Sequence, residues 1–208
     1  VVPPRAAARA ALGLDDEDTV VAVLPGSRRS EITHIAPAFL QAALRLQRER
    51  PTLRFVLPVA PGLRPMVEAV LASEAPGLRI QLLDGRSHEA LAACDLTLIA
   101  SGTATLEAAL FKRPMVVAYR LHRFNHWLMQ GKAYLPWFSL PNILLRDFAV
   151  PELIQDAATP DAIATQALAW LDDGPRRDAL HAPGPQQHQC HDHRRSLEVH
   201  RHAAHSLE

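Results

Sequence analysis

Short β-branched apolar runs alternating with stretches of helical period constrain this chain more than any other feature. Thr19–Leu24 (TVVAVL) is apolar at nearly every position, as a strand covered on both faces requires. The run stops at Pro25-Gly26-Ser27. The spacing then predicts a helix from Pro37 to about Arg50, with Phe39, Ala43 and Leu46 on one apolar face. Strands follow at Leu53–Val59, Arg79–Leu83, Asp95–Ala100 and Pro114–Tyr119. Helices at Pro65–Glu74, Ser87–Ala93 and Thr103–Phe111 separate them. This alternation dictates parallel βαβ units with right-handed crossovers. The expected fold is α/β, a doubly wound parallel sheet.

The flanks read differently. Residues 1–18 are expected to be a linker with a lead-in helix at Pro4–Leu12, and 19–180 the main domain. Within the latter, Pro151–Gln155 and Pro160–Leu171 read as helices, each opened by a proline. Seven of the 11 histidines fall in the last stretch, 181–208, which keeps no apolar period and is expected to be a disordered, atypical tail. The spacing of His188, Cys190, His191 and His193 there fits no structural zinc pattern. The aromatics Trp127, Trp137 and Phe138 are expected to fill core rather than to form an acyl-binding surface with His122 and His126.

Charge and cysteine usage exclude several classes. Lys+Arg and Asp+Glu are both 22, which argues against a dedicated nucleic-acid binder. Cys94 and Cys190 are too far apart in context to suggest a disulfide framework, so a reducing compartment is expected. No apolar run approaches the roughly 20 residues of a bilayer span, and Val1–Arg5 has no signal-peptide pattern. A soluble cytoplasmic protein is the expectation. The chain opens without Met, which sets the further expectation that it begins inside a longer protein.

Two strand-to-helix turns carry candidate chemistry. In Leu24–Glu31 (LPGSRRSE), Gly26 allows close backbone approach, Ser27 can donate a hydrogen bond, and Arg28 offers a fork to phosphate oxygens. A plain turn with a solvated Arg pair accounts for the same residues. In Ala100–Glu107 (ASGTATLE), a helix begins after small residues, and its first N–H groups favour an anion. Thr103 and Thr105 add hydroxyls toward such an anion, for example a diphosphate, and Glu107 could accept from a ribose diol. An ordinary N-cap at Thr103 with a dipole-compensating acid at Glu107 is the bland alternative. Ligands of doubly wound sheets bind where such turns gather, at the carboxyl ends of strands. With no Walker lysine loop and no full dinucleotide glycine fingerprint, a nucleoside diphosphate fits better than ATP or NAD. Leu82–His88 (LLDGRSH) is a third junction on the same edge, whose backbone could read a base, though a plain surface turn accounts for the same residues.

Together LPGSRRSEI (Leu24–Ile32), LLDGRSHEALAACD (Leu82–Asp95), ASGTATLEAALFKRPMVVAYR (Ala100–Arg120) and SLPN (Ser139–Asn142) resemble the lipid-A-disaccharide synthase family. The resemblance runs from about Leu12 to Leu171. It implies a Rossmann-like carboxyl-terminal domain of a GT-B glycosyltransferase. It also implies an inverting hexosyl transfer: 2,3-diacylglucosamine passes from UDP to 2,3-diacylglucosamine 1-phosphate, giving a β-1,6 disaccharide and UDP. Carried over, Gly26, Ser27, Arg28, Ser101, Gly102, Thr103 and Thr105 would hold the diphosphate, and Glu107 the ribose. Leu83, Gly85, Arg86 and Ser87 would line the uracil, while Asn142, Glu152 and Gln155 would complete a sugar-facing wall. Arg28 would be the catalytic contributor, neutralising charge on the departing diphosphate. The implied partners are the UDP-sugar donor, a lipid acceptor and an absent amino-terminal domain carrying the general base. Peripheral association with the cytoplasmic face of the inner membrane follows, with no cofactor and no metal. A UDP-binding module without catalysis, or another UDP-sugar enzyme of this architecture such as an epimerase, is the alternative.

Overall fold

The computed structural model describes residues 3–120, 139–145 and 150–181. Its centre is a sheet of six parallel strands: β1 (Val20–Leu24), β2 (Arg54–Val59), β3 (Ile80–Asp84), β4 (Leu96–Ala100), β5 (Met115–Tyr119) and β6 (Glu152–Ile154). Their order is β3-β2-β1-β4-β5-β6. The described α-helices are α1 (Arg5–Leu12), α2 (Arg29–His34), α3 (Ala36–Glu49), α4 (Arg64–Glu74), α5 (Ser87–Ala93), α6 (Ala104–Leu110), α7 (Leu140–Leu145), α8 (Pro160–Asp172) and α9 (Gly174–His181).

Alternation along the central strands explains the two-sided core. Val20, Ala22 and Leu24 of β1 pack with residues of α1 and α5. Val21 and Val23 face the other way, into a larger cluster containing Phe39, Ala43 and Leu46 of α3 and Ile163, Ala167 and Trp170 of α8. All five β1 residues are buried, which is why the run reads as continuously apolar. Cys94, at the end of α5, is wholly buried, and burial pushes its thiol up to about 12.

Helix α1 is docked to the sheet by one buried cation. The Arg9 guanidinium donates to the carbonyls of Ala93, Asp15 and Asp16 at 3.0, 2.7 and 2.7 Å, and to Asp95 Oδ2 at 2.9 Å. Asp95 Oδ2 also accepts from the Val20 amide at 2.8 Å, tying α1 to the first residue of β1.

Three elements depart from the sequence reading. A short helix, α2, precedes the one expected at Pro37, and α3 starts at Ala36. Ser139–Asn142 leads into helix α7. Pro151–Gln155 is not a helix. Glu152, Leu153 and Ile154 pair in parallel with Val117, Ala118 and Tyr119, and the Val117 amide donates to the Pro151 carbonyl at 3.0 Å. A proline opens a strand as readily as a helix, and the open edge of β5 supplied the hydrogen-bond partners that local propensity does not see. Gln155 then adopts φ +53° and begins a 3₁₀ turn, Gln155–Ala157.

The stretches 121–138 and 182–208 lie outside the described residues, and with them the aromatic segment around Trp127 and the histidine-rich tail.

Candidate functional site

The crossover after β1 runs over one face of the sheet and the crossover after β4 over the other, so the chain diverges at the carboxyl ends of these neighbours. A cleft of about 650 Å³ opens there. Its walls are the turn after β1 (Gly26, Ser27, Arg28), the segment ending β2 (Pro58–Pro61) and Gly85 and Ser87 after β3. Ser101, Gly102 and Thr103 after β4, Glu107 of α6, and Leu140 close it.

In the first turn the backbone donors face a carboxylate of the chain itself. Glu31 Oε2 accepts from the amides of Ser27 and Arg28 at 2.8 and 3.0 Å, and Oε1 lies 3.2 Å from an Arg28 guanidinium nitrogen. Glu31 also lines the cleft, and the sequence reading assigned it no role. Its position three residues after Arg28 was the available signal, since a glutamate there reaches back to the start of a helix.

The second turn is braced from within. Thr105 is buried and its hydroxyl donates to the Gly102 carbonyl at 2.6 Å, so the expected diphosphate ligand is a strut beneath the turn. Thr103 occupies the N-cap position without a side-chain cap bond and stands exposed at the cleft. The amides of Thr105 and Leu106 already bond to the carbonyls of Gly102 and Thr103 at 3.1 and 3.0 Å, and that of Ser101 to Ala118 at 3.3 Å. The anion-facing amides of this helix start are therefore those of Gly102, Thr103 and Ala104. Glu107, one turn on, is partly exposed and lies 3.4 Å from His88 Nε2 of α5. The His88 ring also stands against Phe111, with centroids 5.9 Å apart. This pair joins the rim after β3 to the rim after β4.

The remaining expected residues lie elsewhere. Leu83 is buried in the core beside α1 and α5. Arg86 turns away from the cleft, donating to the Ala11 carbonyl and pairing with Glu89, whose carboxyl it holds below the usual range by hydrogen bonding. Asn142 and Glu152 bond one another: the buried Asn142 amide donates to Glu152 Oε1 at 2.8 Å and to the Val150 carbonyl at 2.9 Å. Glu152 Oε1 also accepts from the Ser139 amide at 2.7 Å. This knot fixes α7 against β6 and thereby places Leu140 at the cleft. Gln155 begins the 3₁₀ turn beyond β6 and is not among the cleft residues. Among the described residues, no cluster of three or more His, Cys, Asp or Glu side chains could hold a metal ion.

A family model described as lipid-A-disaccharide synthetase matches residues 2–205. The chain belongs to the lipid-A-disaccharide synthase family. The lipid-A-disaccharide synthase of Albidiferax ferrireducens is 55% identical over 170 residues, covering 82% of this chain and 44% of that protein. The chain thus spans about half the length of the curated relatives it matches. Among solved structures, the carboxyl-terminal domain of a group 1 glycosyl transferase, LpcC of Francisella tularensis, superposes with TM-score 0.57 at 14% identity, covering 85% of this chain and 88% of that one. A UDP-GlcNAc 2-epimerase from Neisseria meningitidis, bound to UDP-GlcNAc, also gives 0.57 at 16% identity, covering 85% and 43%. The fold is the Rossmann-like carboxyl-terminal domain of GT-B glycosyltransferases. Among the described residues no helix is long and apolar enough to cross a membrane.

Proposed function

We propose that this domain holds the UDP end of a UDP-2,3-diacylglucosamine donor. In the longer protein it serves transfer of the sugar to 2,3-diacylglucosamine 1-phosphate. The observation that carries the reading is the cleft at the switch point, with exposed Arg28 on one wall and the Ser101–Thr103 helix start on another. A diphosphate between them meets a guanidinium on one side and backbone donors on the other. Glu107 stands where a ribose diol would follow, and Gly85 and Ser87 where a base would.

In the reaction, the acceptor's 6-hydroxyl oxygen attacks the donor's anomeric carbon from the face opposite the diphosphate. The carbon–oxygen bond to the diphosphate breaks, the configuration inverts, and the hydroxyl proton passes to a base. UDP departs with its charge matched by Arg28, an interaction that strengthens as the bond breaks. The base and the acceptor pocket belong to the part of the relatives beyond this span, and the lipid acceptor brings the protein to the cytoplasmic face of the inner membrane.

A second reading for the isolated chain is a uridine-nucleotide module without chemistry, favoured by its covering only 44% of the first relative. Titration of UDP into the chain by calorimetry, with ADP as control, tests the donor site. Selective UDP binding that falls about tenfold or more in Arg28→Ala, and also falls in Glu107→Ala, is expected, since charged hydrogen bonds contribute about 1.5–3 kcal/mol. No binding by the folded chain would sink the assignment.

A further inference from the structure

We propose that Glu31 is a positioning residue whose carboxylate fills the backbone nest of the first turn and sets Arg28 for the donor's diphosphate; this rests on the donor-site reading above. Successive amides aimed at one point make an anion cradle, and such a cradle forms at Ser27 and Arg28. Its occupant is Glu31 Oε2, at 2.8 and 3.0 Å. Oε1 holds one side of the Arg28 guanidinium at 3.2 Å. Gly26 makes room for this carboxylate. A β-carbon at 26 would lie 2.1 Å from Oε2 and 2.8 Å from the Glu31 β-carbon, so any side chain there expels Glu31.

The burial of the two partners divides their roles. The Glu31 side chain is 12% exposed and the Arg28 side chain 77%. The carboxylate is built into the turn, while the guanidinium stands in the cleft with most of its five donors directed elsewhere than at Glu31. A phosphate seated in the same nest would meet a resident negative charge at contact distance, which is strongly unfavourable. The glycine turn therefore offers a ligand the Arg28 side chain and not its own amides. The diphosphate lies toward Ser101–Thr103, with Arg28 reaching across.

The test is a double-mutant cycle read by UDP calorimetry on the chain: wild type, Glu31→Gln, Arg28→Ala and the double variant, each checked for folding by thermal melting. Glutamine keeps the length but loses the charge and one of the two acceptor oxygens. Glu31→Gln is expected to weaken UDP binding about fivefold to tenfold, and to add nothing once Arg28 is alanine. Unchanged affinity in Glu31→Gln, or losses that multiply in the double variant, would overturn the proposal, because a merely structural glutamate acts independently of Arg28. A readout without nucleotide separates this from the donor-site reading: amide hydrogen exchange at Ser27 and Arg28 should accelerate in Glu31→Gln. If the wild type fails to bind UDP while exchange accelerates, the donor site falls and the Glu31 brace of the turn survives. If exchange is unchanged, the brace itself is refuted.

Discussion

Gly26 adopts φ +110°, a backbone conformation that side chains rarely tolerate, and the chain's own glutamate lies where its β-carbon would be. Gly26→Ala therefore carries two costs, backbone strain and the loss of both amide bonds to Glu31. Together these amount to about 2–6 kcal/mol. Chemical denaturation should show that loss, and UDP affinity should fall with it because Arg28 loses its brace. Retained stability and affinity would mean that the turn re-forms without Glu31. Gly26, Arg28 and Ser101 were legible in the sequence because turn chemistry is local: a strand stops, a small residue follows, and a helix begins. Leu83 and Arg86 were not. Which way Leu83 points depends on the register of β3, where a shift of one residue reverses the face. Arg86 looks like a ligand until Glu89 and the Ala11 carbonyl are seen to hold it.

At the scale of elements, the central strands announced themselves through continuous apolar runs, since both faces of β1 and β4 are buried. β6 did not, because its three half-buried residues have no period and become a strand only beside β5. Helix α1 was legible as a helix, but its attachment was not. Nothing in an Ala/Arg-rich segment shows that Arg9 is buried to 1% and reaches Asp95 across 86 positions of sequence. Truncating it removes four hydrogen bonds, to three carbonyls and to Asp95, which keeps the Val20 amide and Arg5. Arg9→Ala is expected to cost about 3–5 kcal/mol, because several hydrogen bonds from a buried charged group are lost at about 1.5–3 kcal/mol each and water recovers only part of them. Urea unfolding should register that loss, and proteolysis should cut first near the α1–β1 connection. A variant as stable as wild type would show that α1 is not part of the cooperative unit.

For the whole molecule, the order β3-β2-β1-β4-β5-β6 decides what the domain can do. Divergence of the chain between β1 and β4 makes the cleft, and the turns after β1, β3 and β4 line it. On the proposed function, a donor's nucleotide lies in this cleft and its sugar faces the open side. On the same proposal, the acceptor and the base that takes its proton come from the part of the relatives beyond this span. Of the cleft's carboxylates, Glu31 bonds the Arg28 guanidinium and Glu107 lies beside His88. Binding and transfer should therefore separate by length. The 208-residue chain is expected to bind UDP yet release none from UDP-2,3-diacylglucosamine in the presence of acceptor. A relative of full length, carrying the same cleft residues, should release UDP and form disaccharide in the same assay. Replacing the residue equivalent to Arg28 in the full-length protein should lower kcat more than it raises KM, because that contact strengthens as charge builds on the leaving diphosphate. A raised KM with kcat unchanged would make Arg28 a ground-state anchor, and transfer by the 208-residue chain alone would place the base within this chain.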